Sequence, residues 1–169
     1  MRCIGRVVSK LGLKFSERLY GDYAPLDGSP VSRYDFTVDC KADDLYVFFI
    51  GDDDDNARML GLEGVLRVKR PYTPGVAEVP IKGSLTLFDG MTLRYKFTYD
   101  DPFTSEKMLY LGEKILKLRE PVQSMRTLYG EIFRLDGYND PVKTADALSI
   151  FSLMDLFAFC KTWSLRRSK

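Results

Sequence analysis

The chain has 169 residues, 45% hydrophobic and 29% charged, which suits one globular domain over residues 1–169 that buries its own core. Its 25 basic and 24 acidic residues leave a net charge of +1, so no overall field attracts nucleic acid or an anionic membrane. The chain has no histidine, which excludes histidine-activated nucleophiles and histidine–zinc sites, and the sequence identifies no catalytic residue.

Cysteine usage and hydropathy indicate the compartment. Cys3, Cys40 and Cys160 have no CxxC spacing, and reduced thiols in a cytoplasmic protein are the simplest interpretation. The N-terminal residues lack the apolar run of a signal peptide, and no segment reaches the roughly 18 consecutive apolar residues of a membrane helix. No GxGxxG or P-loop motif occurs, so we expect no bound cofactor.

Alternating apolar and polar residues dominate the chain, and this period of two is typical of antiparallel β-strands. In chain order the predicted strands are 11–19, 34–40, 45–51, 57–68, 84–88, 92–101, 109–118, 128–135 and 148–151. Asp, Asn, Gly and Pro cluster between them, as turns require. The pattern predicts an all-β fold: an antiparallel, lipocalin-like barrel of about eight strands, or a strongly curved sheet.

An acidic run, Asp52–Asp55, separates two of these predicted strands. A calcium loop needs oxygen ligands at fixed offsets, a glycine at the bend and a final bidentate glutamate, and this frame is missing. We therefore interpret the run as a solvated hairpin tip and predict no metal site, with a weak calcium site as the alternative.

The period changes near the C-terminus. Ser152 and Asp155 form a capping pair, and mostly apolar residues follow, which predicts a helix over about 152–163. We expect this helix to pack across the sheet or a barrel end. Association with a membrane surface is the alternative.

Three glutamates interrupt apolar faces of the predicted strands. Glu17 shares a face with Phe15 and Leu19, Glu113 follows Leu109 and Leu111, and Glu131 lies between Tyr129 and Phe133. A carboxylate removed from water needs a partner, so each is a candidate acidic handle in a cavity for an apolar ligand with a hydroxyl or carbonyl group. Two other interpretations remain. In the structural one, each glutamate pairs with an inward cation such as Arg58, Arg94 or Lys117, or a bulge turns it outward. In the catalytic one, a glutamate serves as a general acid or base.

Aromatic residues are abundant, with ten tyrosines and eleven phenylalanines. Along 92–101 the aromatic and cationic side chains take opposite faces, which favours an aromatic core over a nucleic-acid surface. The candidate ligand-binding residues are Glu17, Tyr95, Phe97, Glu113, Tyr129 and Glu131.

Seven stretches occur in an order typical of one family. They are FSERLYG (15–21), ARMLGLEGVLRV (57–68), VPIKGSLTLF (79–88), LRYKFTY (93–99), LYLGEKIL (109–116), RTLYGEIF (126–133) and LSIFSLMDLFAF (148–159). The set resembles the β-rich accessory region of some cholesterol-oxidase-like flavoproteins of the glucose–methanol–choline class, and of related stand-alone proteins. The resemblance implies an accessory or binding domain, not the flavin enzyme. Segment 120–130 departs from the family pattern, because it lacks a tryptophan and a run of threonines.

Three functions are open on these grounds. The first is non-enzymatic binding of a lipid-like or sterol-like molecule inside the barrel. The second is an interaction module with a filled core, which binds a protein partner or a second copy of the chain. The third is a cofactor-free lyase or isomerase, which needs a carboxylate that faces a pocket and has no cationic partner.

Overall fold

The structure, a computed structural model, describes residues 11–42, 58–88, 92–115, 117, 119, 124, 126–137, 140–151 and 164–167. Within these residues it contains β1 (Leu11–Pro25), β2 (Ser32–Ala42), β3 (Met59–Lys69), β4 (Ala77–Phe88), β5 (Thr92–Asp100), β6 (Lys107–Ile115), β7 (Thr127–Arg134), β8 (Val142–Ile150) and β9 (Ser164–Arg167). The predicted all-β class is confirmed.

Strands β1 to β8 form a closed antiparallel barrel. Each strand pairs with the next along the chain, and β1 pairs with both β2 and β8. Closure gives the first and last strands of the barrel a partner and so removes the exposed edges of an open sheet. The predicted eight-stranded barrel is therefore confirmed.

Strand β1 is the longest strand and contacts three others. One edge pairs with β2 over Leu13–Tyr23. The other edge pairs with β9 over Leu11–Lys14 and with β8 over Tyr20–Pro25. Glu17 lies between these two stretches, at a point where neither β8 nor β9 pairs with it.

Aromatic rings fill the middle of the barrel. Phe97 stacks on Tyr110 with ring centroids 4.6 Å apart, and Phe36 meets both rings edge-on at 5.3 and 5.7 Å. All three side chains are buried, as is Tyr95 of β5. The aromatic core face predicted for β5 is thus confirmed, because Tyr95 and Phe97 face the core while the alternate polar residues face out. On β2 the face that carries Phe36 also turns inward.

Glycines at inward positions make room for this packing. The Tyr110 ring lies against Gly112 and Gly130, which are directly paired across β6 and β7, and a side chain at either glycine would overlap the ring. At Gly83 of β4, an added Cβ would collide with the backbone oxygen of Lys96 on β5. Bulky aromatics and close strand contacts therefore depend on these glycines.

The predicted inward faces of β6 and β7 are wrong. The side chains inside the barrel are those of Tyr110 and Lys114 on β6 and of Leu128 and Ile132 on β7, so the glutamate-bearing faces point outward. Both faces of β6 carry apolar residues, so alternation alone does not reveal the inward one. The face that carries Tyr110 and Gly112 turns inward, because Gly112 and its partner Gly130 leave room for the Tyr110 ring inside the barrel.

Other predictions fall partly outside the described residues. The predicted strand 45–51, the acidic run Asp52–Asp55 and the predicted helix 152–163 lie there, whereas β9 was not predicted. In the part of the chain that the structure describes, no helix is long and apolar enough to cross a membrane. Among the same residues, no group of three or more acidic or cysteine side chains is arranged to hold a metal ion.

Replacing Gly83 by alanine should destabilise the barrel. The new Cβ collides with a backbone atom that cannot rotate away, and overpacking of this kind costs about 1–3 kcal/mol of unfolding free energy. Gly61→Ala on the neighbouring strand β3 is the control, because the closest atom to its Cβ is the Lys41 oxygen at 4.0 Å. Urea denaturation of both variants measures the difference; equal stability would contradict the packing described for Gly83.

Candidate functional site: a buried charge pair inside the barrel

Glu17 and Lys114 bring opposite charges together in the barrel interior. Glu17 extends inward from β1 and Lys114 from the penultimate position of β6, and each side chain is only 4% exposed. The Lys114 Nζ lies 3.9 Å from the Glu17 Oε2 and donates a hydrogen bond of 3.3 Å to the Tyr95 hydroxyl. We call Glu17, Tyr95 and Lys114 the interior polar cluster.

Among the residues that the structure describes, one oxygen of the Glu17 carboxylate has no hydrogen-bond partner. Oε1 is buried and unpartnered, and the contact from Oε2 to Lys114 is longer than the roughly 2.8 Å of a charge-assisted hydrogen bond. Burying a carboxylate with incomplete hydrogen bonding is costly, whether or not a cation is near. The cluster therefore holds an acceptor that a further donor group would satisfy.

Two protonated side chains border the pair. Burial, and then the negative charge of Glu17, raises the pKa of the Tyr95 hydroxyl well above 10.0. The same two causes raise the pKa of the Cys40 thiol well above 9.0. At neutral pH Tyr95 is therefore a hydrogen-bond donor, and Cys40 is a thiol with little nucleophilic character.

A second group of hydroxyls lies inside the same barrel. The Tyr34 and Ser149 hydroxyl oxygens are 2.5 Å apart, and the Tyr110 hydroxyl is 3.5 Å from Ser149. These hydroxyls satisfy one another, which is the usual state of buried polar groups. The contrast makes the unpartnered oxygen of Glu17 the more informative feature.

The other candidate glutamates lie on the outer surface. Glu113 pairs with Arg94 at 2.6 Å, and Glu131 pairs with Lys143 at 2.6 Å. Tyr129, also on the outer face, is 68% exposed. The structure thus brings Glu17 and Tyr95 together, places Phe97 in the aromatic core, and separates the other three candidates from the interior.

Sequence reasoning did not assign roles to Lys114 and Cys40 in this site. Lys114 shares the inward face with Gly112 and Tyr110, which are two and four residues before it. That alternation was visible in the sequence, but the opposite face, with three aliphatic residues, was a stronger apolar signal. Gly112 and Gly130 are the sequence signal that could have identified the inward face, because a large ring in a narrow barrel needs neighbouring inward positions without side chains.

An apolar patch covers the outside of β1, β7 and β8. Tyr129 is paired with Leu148, and Ile150 is paired with Tyr20, and all four are exposed. We call these four residues the outer patch. It borders an open groove of about 1020 Å³, whose walls carry charges of both signs.

The barrel end at Tyr23 and Tyr99 opens into a smaller depression of about 400 Å³. Its rim carries an ion pair between Arg70 and Asp101 at 2.9 Å, and the Arg70 guanidinium lies 4.2 Å from the centre of the Phe103 ring. The rim groups therefore satisfy one another, and among the described residues this depression has no unpartnered buried polar group comparable with Glu17.

Comparison with known proteins does not assign the chain to a family. No protein-family model, curated protein or solved structure matches it. The functional argument therefore depends on the geometry described above.

Alkaline pH should unfold the protein together with ionisation of its buried tyrosines. Burial is the main cause that raises the pKa values of Tyr34, Tyr95, Tyr99 and Tyr110 above 10.0. A raised folded-state pKa means that the stabilisation is complete below the unfolded-state pKa of about 10 and is lost as pH rises above it. Circular dichroism and phenolate absorbance, followed together, should change in one transition. Ionisation of all ten tyrosines near pH 10 without unfolding would contradict this burial.

Removing one member of the interior charge pair should cost far more than removing both. Lys114→Met leaves the Glu17 carboxylate buried without its cation, a loss of about 3–5 kcal/mol in unfolding free energy. The double variant Glu17→Leu/Lys114→Met removes both charges and should recover most of that loss. Lys143→Met is the control, because its ion pairs are on the surface, and it should change stability little. Urea denaturation measures all three; equal losses in the single and double variants would contradict the coupling.

Proposed function

We propose that this protein binds an apolar small molecule inside its barrel without catalysing a reaction, and that the molecule donates a hydroxyl hydrogen bond to Glu17. The observation that carries the proposal is the buried Oε1 of Glu17, which has no hydrogen-bond partner within the described part of the chain. A ligand hydroxyl supplies the missing donor, and its oxygen can accept a hydrogen bond from the nearby Lys114 ammonium.

The surroundings of Glu17 favour an otherwise apolar ligand. Its neighbours along the inward face of β1 are Phe15 and Leu19, and its cross-strand partner is Val38 of β2; all three are buried. A ligand with an apolar body gains free energy when it leaves water for these apolar surroundings, at roughly 25 cal/mol per Å² of its surface that is buried. Lipid-like and sterol-like alcohols, which carry one hydroxyl on a large apolar body, have this chemistry.

Catalysis by a carboxylate has less support. The lyase or isomerase hypothesis needs a glutamate without a cationic partner, and Glu17, Glu113 and Glu131 each have a lysine or arginine within 4 Å. The Cys40 thiol, with its raised pKa, is not an activated nucleophile. We therefore propose a binding protein and not an enzyme.

A second candidate function is self-association through the outer patch. Its four exposed apolar side chains are contiguous, because they are paired in register across β7, β8 and β1. The adjoining groove carries Asp22, Glu131 and Asp146 together with Arg94 and Lys96. A surface with both signs of charge can complement its own copy in an isologous dimer, so the occupant that we infer is a second copy of this chain.

Native mass spectrometry with matched alcohols and ethers tests the leading proposal. Decan-1-ol and cholesterol are each compared with their methyl ethers, which keep the apolar body and lose the donor. A hydrogen bond to a charged group contributes about 1.5–3 kcal/mol, so the ethers should bind at least about tenfold more weakly. In Glu17→Leu/Lys114→Met this preference should disappear, whereas Glu113→Gln on the outer surface should keep it.

Specific outcomes contradict the proposal. Equal affinity for alcohol and ether, or a preference that persists in the double variant, would show that Glu17 does not bind the hydroxyl. A failure of every probe to bind, together with a stable dimer that Leu148→Lys dissociates, would favour self-association instead.

A further inference from the structure

In the proposed function Lys114 only donates a hydrogen bond to the ligand oxygen, although a lysine amine can also act as a nucleophile. The side chain of Lys114 is almost fully buried, and its Nζ lies within 4 Å of the Glu17 Oε2 and of the Tyr95 hydroxyl oxygen. Buried lysines of this kind form imines with carbonyl compounds, because a desolvated amine that can lose its proton is a good nucleophile. Glu17 is the adjacent base that can accept this proton.

We propose that the barrel captures an apolar aldehyde as an imine on Lys114, an inference that rests on the proposed binding function. The aldehyde takes the position of the ligand hydroxyl, with its carbonyl group between Lys114 and Glu17. The ligand class is therefore a long-chain or polycyclic aldehyde, the oxidised counterpart of the alcohols proposed above.

Each step can be written with the groups present. The Lys114 ammonium transfers one proton to the Glu17 carboxylate, and the resulting amine attacks the carbonyl carbon. The carbon–oxygen π electrons move to oxygen, which is protonated from the Tyr95 hydroxyl, and Tyr95 regains a proton from the nitrogen. The protonated Glu17 then gives its proton to the carbinolamine hydroxyl, which leaves as water while the nitrogen lone pair forms the C=N bond. The products are a protonated imine, one water and the Glu17 carboxylate, so atoms and charge balance without an oxidant or reductant.

The surroundings of Nζ suit the product as well as the reaction. The positive charge of a protonated imine remains beside the Glu17 carboxylate, in the position of the present ammonium. The ring centres of Tyr95 and Phe151 lie 5.3 and 5.5 Å from Nζ, within the range of cation–π attraction. The low exposure of the site limits access of water, which would hydrolyse the imine.

Reductive trapping with decanal tests this inference. The full chain is incubated with decanal and sodium cyanoborohydride, and the modified lysines are identified by peptide mass mapping. Lys114 should acquire one decyl group at least about tenfold faster than the exposed Lys82, because the barrel holds the aldehyde beside it. Lys114→Arg keeps the positive charge and should abolish the interior adduct. Glu17→Gln should slow it at least about tenfold by removing the proton acceptor.

Binding of decan-1-ol, measured by native mass spectrometry on the same samples, separates the two proposals. If the alcohol binds with the expected preference over its ether but decanal labels only surface lysines, imine formation is wrong and the binding function stands. If neither the alcohol binds nor Lys114 is labelled, both are wrong. An adduct on Lys114 that forms equally fast in Glu17→Gln would overturn the role of Glu17. Circular dichroism of each variant checks that the barrel is folded.

Discussion

Closure of the barrel is the constraint on which the rest of this structure depends. When eight strands join β1 to both of its neighbours, every second side chain must share one narrow interior. Large rings then fit only where neighbouring inward positions lack a side chain. Tyr110 meets this condition by lying across Gly112 and Gly130, and Gly83 lets β4 approach β5 closely. The positions of the large aromatic rings therefore depend on the positions of the glycines.

The same closure gives the interior polar cluster its importance. Strands β1 and β5 lie on opposite sides of the barrel, so the contacts of Glu17, Lys114 and Tyr95 connect distant walls through the interior. On an open sheet these charges would face water and interact weakly. Inside the barrel, the low dielectric strengthens their attraction and also makes an unsatisfied oxygen expensive. We therefore propose a binding function, in which the donor group of a ligand satisfies the unpartnered oxygen of Glu17.

The barrel surface and its interior offer different chemistry. The outer glutamates Glu113 and Glu131 form ion pairs in water and leave no requirement unmet. The outer patch is exposed and apolar, and we propose that it associates with a second copy of the chain. In the interior, a carboxylate, an amine and a protonated hydroxyl converge. We propose that this set binds an alcohol and that it also reacts with an aldehyde.

The local pattern of the sequence was sufficient for the strands and for part of the core. Along 92–101 one face is aromatic and the other is charged, so both strand β5 and its inward residues Tyr95 and Phe97 followed from alternation alone. Side-chain alternation is a property of each extended segment, and it does not depend on distant parts of the chain. The class of fold, an antiparallel barrel, also followed from the number of such segments and the short turns between them. Glu17 was identified correctly as an inward carboxylate for the same reason.

Tertiary structure alone decided which face of β6 and β7 turns inward, and with it the partner of Glu17. Both faces of β6 carry apolar residues, so the choice depends on the fit of Tyr110 against glycines on two strands. That choice moved Glu113 and Glu131 outside and brought Lys114 inside. The pairing of β9 with β1 was likewise absent from the local pattern. The inward faces of β6 and β7 and the pairing of β9 are set by contacts between residues far apart in the chain. The energy of such contacts does not depend on the sequence of any one segment alone.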